Sequence, residues 1–288
     1  MKKVVVAFIA MSLFVACSKK DIQKWISKPG NPKPSVPCKV DSIYPAVIGD
    51  PMLTGYTAVG IKYNDKGNPT VLNYNIEAFA PVSGKFSVYY KYDSRNRLIE
   101  VDPPIVDPVQ MELESLSPVT PHKFVYEGNS QLPVRDSILS DTFYGVSEGT
   151  PYKVYTVKVE DLYYDVHGRI NRVVTRRQFN NTLYGQVDNY NSEVKYSYDS
   201  KGNRQIVLNE SGSTPPAVSY TTKPSLHSLH PVWQLIHKNW SKNAQVENVQ
   251  AYNNYNLPTK SDMSGSRFLQ TKNSNSDNPF FNINYTCL

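Results

Sequence analysis

His227, His230 and His237 fall within one short stretch, SLHSLHPVWQLIHKN, and three histidines so close raise the question of a metal centre. A structural or catalytic zinc requires three or four converging ligands. The stretch holds no Asp, Glu or Cys, and Pro231 interrupts any helix that would carry His227 onto the same side as the others. The reading is therefore no metal and no cofactor, with the histidines at the margin of an apolar stripe. Carboxylate pairs such as Glu160 with Asp161, or Asp102 with Asp107, have the residue types of glycosidase chemistry. That chemistry depends on a separation of a few ångströms, which neighbourhood in sequence does not establish. There is no Gly-x-Ser-x-Gly elbow, His-Glu-x-x-His, Walker loop or dinucleotide fingerprint. No catalytic residue is assigned, and an unrecognised hydrolase stays as an alternative.

A different pattern recurs. The phrases VGIKYNDKGNPTVLNYN, VYYKYDSRNRLIEVDPP, FVYEGNSQLPVRDSI, LYYDVHGRINRVVTRR, VKYSYDSKGNRQIVLNE and VQAYNNYNLPTKSDM centre on Tyr63, Tyr92, Tyr126, Tyr164, Tyr198 and Tyr252. The spacing, mostly in the thirties, marks a repeat array. In VKYSYDSKGNRQIVL, Val194, Tyr196 and Tyr198 alternate with polar residues and share one strand face, and Ile206 and Leu208 resume the period on a return strand. Between them the side chain of Asp199 can cap turn amides while Gly202 takes a left-handed conformation. The same hairpin reading assigns turn roles to Asp65 and Gly67, to Asp93 and Asn96, and to Asp165 and Gly168, asparagine replacing glycine where positive φ is needed. The acidic position becomes Asn64, Glu127 and Asn253 in sister phrases, as turn capping tolerates and acid–base catalysis does not.

Tyr-Asp-x-x-Gly-Arg/Asn followed by an aliphatic strand resembles the YD repeat of Rhs-type bacterial surface proteins and its degenerate form in uncharacterised lipoproteins of the Bacteroidetes. The resemblance spans residues 56 to 285 and implies an extended antiparallel meander that wraps on itself. It implies no reaction.

The start of the chain supplies an address. MKKVVVAFIAMSLFVACSKK carries two lysines, an apolar run from Val4 to Ala16 and then Cys17, too short to span a bilayer stably. Phe14-Val15-Ala16-Cys17 resembles a bacterial lipobox, which makes residues 1–16 a signal peptide and Cys17 the lipidated residue that anchors the chain to a membrane. Ser18 after the cysteine gives no inner-membrane retention signal, so the expected destination is the outer membrane. Residues 17–37, with prolines at 29, 32, 34 and 37, form a semi-rigid tether. Residues 38–288 then make a single all-β domain, an ordinary length for one.

Cys38 and Cys287 are the cysteines that remain. In an oxidising compartment they either form a disulfide between the two ends of the domain or stay as buried thiols. The formal net charge of +6 falls to +4 without Lys2 and Lys3, and no basic face interleaved with aromatics tracks phosphates, so nucleic acid is not a partner. Arg169, Arg172, Arg176 and Arg177 in one hairpin arm argue against a lipid-facing barrel.

The fold expected is mainly β: 10 to 14 strands in an antiparallel meander of hairpins, rolled into an open barrel or sandwich, with one short helix near 231–240. Val232, Trp233, Ile236 and Trp240 form the apolar stripe of that helix. Function divides three ways: a non-catalytic envelope scaffold that contacts envelope proteins, a glycan-binding lipoprotein of a polysaccharide-uptake system, or the hydrolase. Tyrosine is a strand former, so 21 tyrosines do not by themselves indicate sugar binding. Stacking platforms would be aromatics outside the inward alternation: Tyr89, Tyr163, Tyr184 and Tyr190.

Overall fold

A computed structural model describes residues 38–45, 56–77, 83–102, 121–147, 150–209, 211–262 and 280–287. The expected signal segment, Cys17, the tether and Asp107 lie outside these residues. The strands are β1 Cys38–Pro45, β2 Tyr56–Tyr63, β3 Pro69–Glu77, β4 Ser83–Tyr92, β5 Leu98–Asp102, β6 His122–Tyr126, β7 Pro133–Ser147 and β8 Thr150–Tyr164. They continue as β9 Ile170–Asn181, β10 Gln186–Tyr198, β11 Arg204–Leu208, β12 Tyr220–Pro224, β13 Asn243–Gln245, β14 Val249–Tyr252, β15 Pro258–Asp262 and β16 Phe280–Cys287. Fourteen form one antiparallel meander in the order β11 back to β1, then β16, β15 and β14. Among the described residues no ladder joins its ends β11 and β14, so the sheet is rolled but open; β12 and β13 form a separate pair. Among the described residues one α-helix, α1 Pro231–His237, lies between that pair in the sequence.

The turns follow from their first side chain. Asp199 Oδ1 accepts hydrogen bonds from the amides of Lys201 and Asn203 at 2.9 and 2.8 Å, and Gly202 sits at φ +82°. Asp93 with Asn96 (φ 62°) and Asp165 with Gly168 (φ 72°) repeat this, each aspartate also accepting from the Arg97 or Arg169 guanidinium four residues on. In the first hairpin Asn64 stands at the Asp199 position and caps the amides of Lys66 and Asn68, both at 3.0 Å, with Asp65 in the turn beside it. The cap must follow the strand-ending tyrosine directly, and Asp65, one place later, is exposed.

Those tyrosines set the spacing between hairpins. Each is paired across its own hairpin with a residue just past the turn: Tyr63 with Pro69, Tyr92 with Leu98, Tyr126 with Pro133, Tyr164 with Ile170, Tyr198 with Arg204 and Tyr252 with Pro258. The hydroxyl then donates to the corresponding carbonyl of the preceding hairpin. Tyr92 reaches Pro69, Tyr126 reaches Leu98 and Tyr164 reaches Pro133, each at 2.7 Å, and Tyr198 reaches Ile170 at 2.8 Å. Arg97 and Arg169 finish the unit by stacking over the next tyrosine, Tyr126 and Tyr198, at 4.4 and 4.0 Å from the ring centroid.

The rule continues through the chain ends. Tyr285 of β16 is paired with Val40 of β1; its hydroxyl donates to Pro258, and Val40 accepts from Tyr63, both at 2.7 Å. β16 and β1 are thus a hairpin without a connecting turn. Where the turn would stand, Cys38 and Cys287 face each other and are joined by a disulfide. Closing a loop of 249 residues removes roughly 5 kcal/mol of unfolded-state freedom on the chain-entropy model.

One rung departs from the rule. Tyr252 would reach Arg204, but that carbonyl accepts from Tyr220 of β12, and the buried Tyr252 hydroxyl has no hydrogen-bond partner among the described residues. The segment from Ser211 to Asn248 occupies this seam. Arg204 donates to the Lys238 carbonyl and to Ser241, and Asn203 accepts from the Asn243 amide at 3.0 Å. Its helix fills the concave side of the sheet: Val232, Trp233, Leu235 and Ile236 join Val59, Leu72, Tyr74, Val88, Leu98, Val101, Phe124, Leu162, Ile170 and Val173 in one core. Trp233 meets Tyr90 edge-on at 5.9 Å. The helix stops at His237 because Lys238 adopts φ 50° and turns its amide back onto Gln234 and Leu235. Trp240 is therefore past the helix, though still buried and edge-on to Tyr164 at 6.3 Å.

Tyr164→Phe leaves the Pro133 carbonyl without its donor and should lower unfolding free energy in urea by about 1–3 kcal/mol. Tyr252→Phe removes a hydroxyl with nothing to lose, so its unfolding curve should match the parent within about 0.5 kcal/mol.

Candidate functional site

Strand alternation separates the carboxylates that sequence places side by side. Glu160 faces the core and Asp161 faces out, where it pairs with Arg135 at 2.8 Å and Arg176 at 2.7 Å. Adjacent strand residues cannot form one acid–base pair. Glu160 instead stands across the ladder from Asp136 of β7, and both are buried, Asp136 completely.

Two buried carboxylates side by side repel and lose hydration, so cations must neutralise them. Lys238, just after the helix, places Nζ 2.6 Å from Asp136 Oδ2 and 2.7 Å from Glu160 Oε2. Lys158 lies 2.5 Å from Glu160 Oε1. The buried His122 of β6 has Nδ1 within 2.9 and 3.0 Å of the Asp136 oxygens, its ring stacked on Phe124. Burial pushes the Asp136 carboxyl up, but His122 and Lys238 outweigh it and hold the group well below the ordinary carboxylate range. Asp136 is thus locked as an anion, unsuited to donate a proton. The cluster fastens the helical insertion to β6, β7 and β8.

The three histidines take separate places. His230 is the N-cap of α1, its Nδ1 accepting from the Val232 amide at 3.1 Å. His227 and His237 bring their ring centroids within 4.2 Å. Among the described residues no group of three or more His, Cys, Asp or Glu side chains is placed to hold a metal ion. Burial, with the nearby Arg204 charge, pushes His227 down to about 4; burial and Lys39 bring His230 to about 4 against a hydrogen bond at Gly67.

The four candidate stacking tyrosines do not converge. Tyr89 and Tyr163 are on the outer face of β4 and β8, with three strands between those two in the sheet order. The Arg172 guanidinium already covers Tyr163, 3.7 Å from the ring centroid. Tyr184 belongs to the β9–β10 turn. Tyr190 is on the inner side, in one row with Arg177 and Lys158, because β10 pairs Tyr190 with Arg177 and β9 pairs Arg177 with Lys158.

Sequence reading missed Asp136, Lys158, His122 and Lys238, and set Glu160 beside Asp161 where the fold sets it beside Asp136. In VKVEDLYY the valines look like the inward set and the charged residues like the solvent set. Leu162 fixes the opposite parity and turns Lys158 and Glu160 inward. An inward acid next to an inward base was the available signal, legible only once the strand's register was known.

No family model matches the chain, and no curated protein is similar to it. One similar solved structure is a porin-like protein from Bacteroides uniformis ATCC 8492, 10% identical, covering 89% of this chain and 99% of that one with a TM-score of 0.36. A likeness at that level says nothing of function.

The desolvated imidazoles of His227 and His230 set a pH dependence. Between their ordinary value of 6.5 and about 4 the unfolded chain binds protons that the folded chain excludes, so stability falls as pH is lowered through that window. The thermal midpoint should drop between pH 7 and pH 5, and the double variant His227→Gln, His230→Asn should flatten the drop over the same range.

Proposed function

We propose that this protein is a non-catalytic scaffold of the cell envelope, anchored through a lipid on Cys17 to the outer membrane, which presents its wrapped hairpin array to other proteins. The observation that carries the reading is the state of the interior. The concavity that could have been a pocket is packed with Trp233, Leu235 and Ile236, and its buried acids are each ion-paired. Such an interior gives rigidity and a fixed outer surface, and among the described residues its buried carboxylates are held in ion pairs and not presented to a substrate. The lipobox-like FVAC and the resemblance of the YD phrases to those of bacterial surface lipoproteins support this address.

The dispersal of Tyr89, Tyr163, Tyr184 and Tyr190 favours protein contacts over a sugar platform. Arg172 occupies one ring face, and Tyr190 is on the other side of the sheet from Tyr89 and Tyr163.

The test is metabolic labelling with a radioactive fatty acid in a bacterial host, followed by membrane fractionation. The parent should take up label and sediment with outer membranes. Cys17→Ser should take up none. Label retained by that variant, or a parent free of both label and membrane, would overturn the anchored reading.

A further inference from the structure

The rolled sheet has two formal ends, and both are blunted. Along β11, Gln205 exchanges hydrogen bonds with the Val218 backbone, both at 3.2 Å, and Thr214 Oγ1 donates to the Val207 carbonyl at 3.0 Å. The other end, β14, has four residues, and Lys223 lies over its Tyr252 ring at 4.0 Å. Such coverage is how sheets avoid adding foreign strands.

A third edge has no such cover. β10 is paired with β9 from Gln186 to Lys195, but β11 joins its other side only from Lys195 onward. Among the described residues, QVDNYNSEV from Gln186 to Val194 therefore has no neighbouring strand on that side. The segment holds no proline and no lysine, the residues that usually protect an edge, and Val187 and Tyr190 are 53% and 56% exposed.

Its sequence is suited to itself. Antiparallel pairing of two copies with greatest overlap is centred on Tyr190, the midpoint of the uncovered stretch. Tyr190 then faces Tyr190, Asn189 faces Asn191, Asp188 faces Ser192, Val187 faces Glu193 and Gln186 faces Val194. No like charges are opposed, and an aromatic pair occupies the centre, the cross-strand combination that stabilises sheets. Glu193 is already held on its own chain by Arg172 and Lys195, at 3.4 and 3.2 Å. Leu208, the last residue of β11, stands beside Lys195, so the partner's strand runs alongside only up to that point and its β9–β10 turn bends clear of Leu208.

We propose that Gln186–Val194 joins the same segment of a second copy of this chain, across a two-fold axis at Tyr190, making one sheet continuous through both molecules. The inference rests on the scaffold reading and names the contact through which the scaffold is built.

The test uses the full chain in detergent. With Cys17 lipidated and Cys38 bonded to Cys287, the introduced cysteine in Tyr190→Cys is the free thiol, and mild oxidation should link most of the protein into dimers. Val166→Cys, 80% exposed in a distant turn, should give few. In sedimentation velocity the parent should be dimeric at micromolar concentration, and Asn189→Lys with Asn191→Lys, which opposes lysines across the axis, should weaken the dimer at least tenfold. A monomeric parent, or equal crosslinking of both cysteine variants, overturns self-pairing. A photo-crosslinker at position 190 in cells then separates the two readings. Capture of other envelope proteins by a monomeric parent leaves the scaffold reading standing without self-pairing, and a monomer that captures nothing removes both.

Discussion

A tyrosine hydroxyl inside a sheet must find an acceptor, and that requirement sets the distance from each hairpin of this protein to the next. Burial pushes the phenols of Tyr63, Tyr92, Tyr126, Tyr164, Tyr198 and Tyr285 well above their ordinary values, so each is a neutral donor at any physiological pH. Every one of the six reaches a backbone carbonyl near the start of a strand in the neighbouring hairpin. A slip by one residue would turn the ring outward and leave the carbonyl behind it without a donor. The turn chemistry serves the same end, because the aspartate that caps the turn also holds the arginine that covers the next ring.

The remaining architecture answers two interruptions of that array. At the chain ends there is no turn, and the Cys38–Cys287 bond stands in its place. At the seam between β11 and β14 an insertion separates the strands, and Tyr220 supplies the rung that Tyr252 would have made. The insertion is then secured from within, by an apolar helix face against the sheet and by Lys238 between Asp136 and Glu160. Burying that ion group costs solvation, and in return it admits one placement of the insertion, since removing any member strands a buried charge.

Much of this was legible in the sequence, where the residue types themselves carry the geometry. Asp199 and Gly202 specify a turn, the Tyr196 and Tyr198 alternation specifies a strand, and Pro231 opens the helix near its observed start. The ladder was less legible. The tyrosines were visible as a repeat, but their partners are backbone carbonyls some 23 to 31 residues away, which no side-chain pattern records. The ion cluster was hidden for a different reason. Lys158 and Glu160 alternate with valines that look more suitable for the core, and long-range packing around Leu162 decided which set faced inward. Asn64, one of the variants of the capping position, carries the same cap with an amide oxygen.

The central claim is that the hairpin rule, and not the order in which the chain visits the hairpins, determines this fold. A circular permutant tests it directly: Cys38 and Cys287 replaced within a YD-type turn, Asp-Ser-Lys-Gly-Asn, joining β16 to β1, and new ends opened between β5 and β6. Amide hydrogen exchange across β16 and β1 is the measurement. The account predicts protection equal to that of the disulfide-bonded parent under reducing conditions as well as oxidising ones. Loss of protection in those two strands while the other hairpins stay protected would contradict it.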